Sequence, residues 1–427
     1  MEFKYKTLIP LTLAAALLFT GCGLAKSASA GTDSGLNAAA QTQTAVPAAA
    51  VADSEETAAA ELFSKRDLSG DYDASQATAI TLSGNSAKAD SDDVQISGSA
   101  VTITAAGTYI LKGTLSDGSI IVDAGKEDKV QLVLDGVTIH SETFAAIYVK
   151  QADKVFVTLA EGSVNTLSNG GAFTLIDDNH VDAVVFSKDD LTLNGSGSLE
   201  VSSPGGHGIV GKDEVTITGG TYRINAENHA ISGKDSIAIA DGSFSLTACQ
   251  DGLHAENDDD DTLGNITVTG GDFVINVDDD AIHATYKLRI DGGSFDITAA
   301  EGLEATYVQI NDGSINIRAG DDGINAGRKS SACVPTIEFN GGTTTIVMGA
   351  GDTDGVDSNG NIIVNGGTIS VTGNSAFDYD GTAQYNGGTI VINGSVVNTI
   401  PNQMMGGGMG GGMHGGGMHG GKGGIRG

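Results

Sequence analysis

The chain has 427 residues, of which 40% are hydrophobic, 5% aromatic and none Trp. Its 22 basic and 54 acidic residues leave a formal net charge of −32. That balance argues against nucleic acid as a partner, because an anionic surface repels phosphate.

The amino terminus reads as an export signal. Lys4 and Lys6 precede the apolar run "LIPLTLAAALLFT", too short and too poorly flanked for a spanning helix. The run ends at "LFTGCG", the pattern of a bacterial lipoprotein signal cleaved before Cys22, whose thiol then takes lipid. Residues 1–22 are therefore expected to be a lipoprotein signal peptide, and Cys22 the membrane attachment of a protein held at the bacterial cell surface. Residues 23–75, rich in Ala, Ser and Thr, carry few large apolar side chains and are expected to form a disordered tether. Residues 76–400 are the folded body, and the Gly/Met/His-rich stretch 401–427 again lacks the material of a core.

The body is a repeat. "GG" or "DG" recurs after a short β-like run, as in "VTITGG", "IAIADG", "LRIDGG" and "IEFNGG". The second glycine falls at Gly220, Gly242, Gly271, Gly293, Gly313, Gly342, Gly367 and Gly388, a mean period of about 24 residues. An alternating strand follows each, with Phe295, Ile297 and Ala299, or Ile315, Ile317 and Ala319, on one apolar face. A second marker comes next: "HGIV", "HAIS", "DGLHA", "DAIHA", "EGLEA", "DGINA", "DGVDS", "SAFDY". Three short strands per coil cannot bury their inner faces alone, so the coils must stack at ~4.8 Å. Looser coils such as "VTITAAGTYIL" and "VQLVLDGVTI" extend the pattern upstream. The predicted fold is all-β, a right-handed single-stranded parallel β-helix of ~13 coils and ~60 Å. Two insertions, "ENDDDDTLGN" and "GRKSSACVPT", follow the third strand of their coils and so emerge from one corner. Cys249 and Cys333 fall about three coils apart, at least ~14 Å. A disulfide needs Cα atoms within about 7 Å, so both are expected to be isolated, buried thiols.

Stacking turns the second marker into two columns. The first runs His207, His229, Asp251, Asp280, Glu301, Asp322, Asp354 and Ser375; the second, three positions on, runs Val210, Ser232, His254, His283, Glu304, Asn325, Asp357 and Asp378. Leu253, Ile282, Leu303, Ile324 and Val356 lie between them and should point inward. Carboxylates one coil apart repel by about 3.5 kcal/mol at an effective dielectric of 20, a large sum against a net stability of ~5–15 kcal/mol. A calcium ion, with oxygen bonds of ~2.3–2.6 Å, can be shared by two such groups. The expected ligands are Asp251, Asp280, Glu301, Glu304, Asp322, Asp354, Asp357 and Asp378, with Asp279 and Asp321 beside the columns. The plainer use of the same residues is turn formation, since Asp and Asn bond neighbouring amides. Asp258 to Asp261 read as a solvated loop, and His254 with His283 as two exposed strand histidines.

The ordered string "AAGTYILKGTLSDGSIIVDA", "DKVQLVLDGVTI", "AAIYVKQADKVFVTLAEGSVNTL" and "SKDDLTLNGSGSLEV", followed by "ITGGT" and "DGLHA" units, resembles the carbohydrate-binding β-helix family of bacterial cell surfaces. The likeness covers roughly residues 79–395. It implies a pectate-lyase-like shape, calcium on the acidic coils, and affinity for glycans such as polygalacturonate or cellulose. The coils of His207, His229 and Ser375 depart from the acidic pattern, which confines metal to the middle of the columns.

An anionic protein holds an anionic polysaccharide through a bridging cation. Tyr286 and Tyr307, at one position on adjacent coils, are candidates for stacking on sugar or on each other. The enzymatic alternative, a calcium-dependent polysaccharide lyase, needs an Arg or Lys base. Arg223, Arg289 and Arg318 face outward, and none lies in the columns. A surface adhesin or spacer is the third reading.

Overall fold

In a computed structural model, residues 62–350 and 353–403 are described. Cys22, the signal peptide, residues 23–61 of the expected tether and the tail from 404 lie outside the described residues.

The described residues form a single sheet of short strands, almost all paired in parallel. One face of the solenoid is the series Ser198–Ser203, Thr221–Ala226, Ser243–Ala248, Asp272–Val277, Ser294–Ala299, Ser314–Ala319, Thr343–Met348, Thr368–Thr372 and Thr389–Ile392, each strand parallel to the next. Each strand therefore pairs with the one three places on, or two where a short connection fuses strands, as in Asp280–Ile290 and Glu301–Ile310. Alternation sets the core: Phe295, Ile297, Ile315 and Ile317 are fully covered, while Asp296 and Arg318 between them are exposed. Tyr222, Phe244, Phe273 and Phe295 stack through the interior, with successive ring centroids 5.2, 4.6 and 4.6 Å apart.

Glycine recurs at both markers for different reasons, although the second admits Ala at Ala230, Ala281 and Ala376. At the first, all eight predicted glycines have positive φ, from 71° at Gly342 to 140° at Gly242, where a β-carbon is strained. At the second the backbone is ordinary but crowded: a β-carbon on Gly302 would lie 2.3 Å from the carbonyl oxygen of Gly323 on the next coil. Asparagines beside the first marker form a ladder of their own. Asn340 donates to Asn311, Asn365 to Asn340 and Asn386 to Asn365, each at 2.7 Å, and Asn311 donates to Asp291 at 2.7 Å.

The open ends of the sheet are closed by antiparallel pairs, Thr78–Gly84 with Ser86–Ala89, Val94–Ser97 with Ala100–Ile103, and Thr389–Ile392 with Ser395–Val397. Such turns back leave less edge open to other chains.

Residues 62–75 are not a tether. They run across several coils as a strap, because the polar groups of those coils need partners. Asp67, 3% exposed, accepts hydrogen bonds from the Ser64 amide (2.9 Å) and the Thr192 hydroxyl (2.7 Å) and pairs with Lys154 (3.0 Å). Asn194 donates to the Asp67 and Ser69 carbonyls, and the Arg66 guanidinium lies 4.4 Å from the Phe156 ring centre. The two cysteines also differ from expectation: both are free, but Cys249 is exposed and Cys333 half-buried, since each lies outside the inward rows.

Candidate functional site

The two columns form in the register expected. Ile209, Ile231, Leu253, Ile282, Leu303, Ile324 and Val356 pair in turn and are fully buried. Beside them pair Ser232, His254, His283, Glu304, Asn325, Asp357 and Asp378. In the other column Asp280 pairs with Glu301, and Asp354 with Ser375. Part of the first column's compatibility with stacking comes from the backbone. The next coil's amide donates to each of four side chains: His229 to His207 Nδ1 (3.2 Å), Asp251 to His229 Nδ1 (3.1 Å), Asp280 to Asp251 Oδ1 (3.0 Å) and Asp354 to Asp322 Oδ1 (3.1 Å). These bonds serve turn geometry and charge at once.

The columns change character at Asp280. Upstream they are built on imidazole: His207, His229, His254 and His283 form one stack, at 5.0, 3.9 and 5.0 Å between centroids. His254 and His283 are therefore not exposed strand histidines; their side chains are 13% and 12% accessible. The stack crosses from the first column to the second. Spacing within either column alone does not reveal it, and the four histidines on four successive coils were the available signal. His254 Nδ1 lies 2.6 Å from Asp251 Oδ2, and His283 Nδ1 lies 2.8 Å from both Asp280 Oδ2 and Glu304 Oε2. Lys329, from the second insertion, pairs with Glu304 at 2.9 Å. Burial opposes ionisation of Glu304, but His283 and Lys329 hold its carboxyl well below the ordinary range. His283, despite burial, is raised to about 10 by Asp280 and Glu304. Asp251, Asp280 and Glu304 thus already have cationic or imidazole partners.

Downstream the columns are nearly all carboxylate. Among the described residues, Glu301, Asp322, Asp357 and Asp378 form no ion pair with Lys, Arg or His; Asn325 donates to Glu301 at 3.0 Å. Burial, with Glu304 and Asp280 nearby, pushes Glu301 up to about 8. Burial and the surrounding carboxylates likewise push Asp322 to about 6 and Asp357 to about 7. Asp378 Oδ1 and Ser375 Oγ are buried without a hydrogen-bond partner. Unpaired buried oxygens among like charges fit a hard cation. Asp279 and Asp321 are exposed beside this run.

The tyrosine pair does not form. Asp280–Ile290 carries one more residue than Glu301–Ile310, and a bulge after Ala284 sets Lys287, not Tyr286, opposite Tyr307. The Lys287 ammonium lies 5.1 Å from the Tyr307 ring centre, and the Tyr307 hydroxyl donates to Glu338. The two insertions do share a corner: Ser330 Oγ donates to the Asp261 carbonyl at 2.6 Å. Asp258 to Asp261 are exposed there.

The profile of the family described as carbohydrate-binding domain-containing proteins matches residues 97–353, more than half of the chain. The chain belongs to that family. The matched span takes in the histidine stack and the columns as far as Asp322, and ends just before Asp354. A carbohydrate-binding domain-containing protein of Acetivibrio thermocellus is 40% identical over 137 residues, which are 32% of this chain and 48% of the relative. The aligned region thus spans about half of that relative's length. A solved structure of a polysaccharide lyase-like protein from C. thermocellum, a gadolinium derivative, is 27% identical with a TM-score of 0.45, covering 74% of this chain and 95% of the other.

Proposed function

We propose that this carbohydrate-binding protein holds its glycan through calcium bound on the carboxylate half of the columns, by Glu301, Asp322, Asp354, Asp357 and Asp378. The observation that carries the proposal is that the part-buried carboxylates Glu301, Asp322, Asp357 and Asp378 have no cationic partner among the described residues, the run ending at the orphaned oxygen of Asp378. Calcium supplies positive charge that both column and ligand can share. A chain of net charge −32 otherwise repels a uronate. Acidic plant-type polysaccharide, polygalacturonate above all, is therefore the proposed ligand, with cellulose as the neutral alternative. The solenoid is proposed to be right-handed, in keeping with coils of unequal length and insertions at one corner. Lipid on Cys22 is proposed to hold the protein at the bacterial surface.

One observation favours a lyase as second reading. Lys287 and Arg289 line a cavity of about 400 Å3, and burial together with Arg289 lowers the Lys287 pKa. A poised base of this kind is what proton abstraction beside a uronate carboxyl needs. Affinity-gel retardation on polygalacturonate, with calcium and with chelator, beside an absorbance assay for unsaturated uronate, separates the readings. Calcium-dependent retardation without product supports binding alone. Product that disappears in Lys287→Ala or Arg289→Ala establishes the lyase, and no retardation on any acidic or neutral glycan leaves an adhesin or spacer.

A further inference from the structure

We propose that the histidine half of the columns carries a second metal site of a different class, for a first-row transition ion such as zinc, with His254 Nε2 and Glu256 Oε2 as its protein ligands. The site is distinct in residues and chemistry from the calcium run, and does not depend on it.

The orientation of His254 is set from behind the ring. Asp251 is 3% exposed, and its two oxygens are committed: Oδ1 to the Asp280 amide at 3.0 Å and Oδ2 to His254 Nδ1 at 2.6 Å. The ring proton therefore sits on Nδ1, and the lone pair on Nε2 points the other way. A carboxylate behind an imidazole is the arrangement by which metal-ligating histidines are held and made more basic. The ring is also clamped between His229, at 3.9 Å and 6°, and His283, at 5.0 Å and 25°.

On its other side, His254 Nε2 faces a carboxylate. Glu256 Oε2 lies 3.3 Å away, so two lone-pair atoms oppose each other with no hydrogen between them in the neutral imidazole. With bonds of about 2.0–2.1 Å, that separation gives an N–metal–O angle of roughly 105°, close to tetrahedral. Space is present in front of them, in a cavity of about 360 Å3 to which Asp258 and Asp259 also contribute. Asp259 is paired with Lys234 at 2.5 Å, which leaves Asp258 and water to complete the coordination. His229 is engaged with Asp251 instead, its Nδ1 lying 3.1 Å from the Asp251 amide and 3.2 Å from Asp251 Oδ2. Imidazole with carboxylate selects zinc, cobalt, nickel or copper over calcium.

The alternative is a protonated His254 held as an ion pair between Asp251 and Glu256. Titration of the full chain with Co2+ under saturating calcium separates the two, read by the visible absorption of four-coordinate cobalt and its loss on adding zinc. One Co2+ per chain is expected, weakened at least about tenfold in His254→Gln and in Glu256→Gln. Glu256 is exposed, so its variant does not threaten the fold. Asp251→Asn, which keeps an oxygen for the Asp280 amide but removes the carboxylate behind the ring, should cost about 10–100-fold. Asp357→Asn should leave cobalt binding unchanged. Absence of cobalt binding, binding that calcium abolishes, or equal binding by the Glu256→Gln protein would overturn the assignment in favour of the ion pair.

Discussion

Replacing Asp357 by Asn should stabilise the calcium-free protein and weaken its response to calcium. Asp357 pairs in register with Asp378 on one side and neutral Asn325 on the other, so the substitution removes the in-register like-charge contact with Asp378 together with the repulsion from Asp322 and Asp354. At ~4.8 Å and an effective dielectric of 20 that contact amounts to about 3.5 kcal/mol when both groups are ionised. Asp357 is pushed up to about 7, which leaves it about half ionised at neutral pH, and partial solvent access reduces the effect further, to about 1 kcal/mol. The sign follows from the direction of the shift. The carboxyl keeps its proton in the folded state above its ordinary value of 3.8, so folding is favoured by proton retention and loses that contribution as pH rises toward 7. The chelated Asp357→Asn protein should therefore melt about 2 °C higher than the parent at pH 7.5 and by a smaller margin at pH 5, the difference closing as pH nears 3.8. In calcium the order should reverse, because a charged ligand is gone. Thermal melts at both pH values, with chelator and with calcium, test this. A variant that is destabilised equally in chelator and calcium would refute the repulsion argument and leave Asp357 as a turn residue.

Two further outcomes concern the scaffold. Asp67→Ala leaves Lys154 partly buried without its partner, a change of about 3–5 kcal/mol where the group cannot reach water. The strap should detach locally, seen as faster tryptic cleavage at Lys65 and Arg66 with little change in the melting of the coils; unchanged cleavage would show that the strap is held elsewhere. Asn340→Asp removes the donor to Asn311 and should cost about 1 kcal/mol, measured by denaturant unfolding. The same change at Asn386, at the outer end of the ladder, should cost less, and equal costs would argue against a continuous ladder.

Much of the site was legible because stacking converts a one-dimensional repeat into columns. Once Gly220 through Gly388 fixed the coil boundaries, the register of Asp280 with Glu301 and of Asp357 with Asp378 followed without further information. What escaped depends on contacts between columns or outside the repeat. His229 stands in the first column and His254 in the second, yet their rings stack at 3.9 Å, a contact between columns that counting along either one does not show. Tyr286 and Tyr307 looked equivalent by counting from the marker, and one extra residue in the strand after Ala284 broke the equivalence. The strap from Leu62 to Ser75 carries no β pattern, so composition alone assigned it to the tether. Its order comes from partners such as Thr192 and Asn194, more than a hundred residues away. The asparagine ladder was in plain view in "INDG", "FNGG", "VNGG" and "YNGG", but reads as turn chemistry until the coils are stacked.

The most direct test of the central claim is equilibrium dialysis of calcium against three proteins: the parent, an Asp357→Asn/Asp378→Asn variant, and a variant with Asp258 to Asp261 replaced by Asn. The carboxylate run predicts fewer bound ions in the column variant and the parental number in the loop variant. Parental calcium binding by the column variant, or an equal loss from both, would contradict the assignment of calcium to the columns.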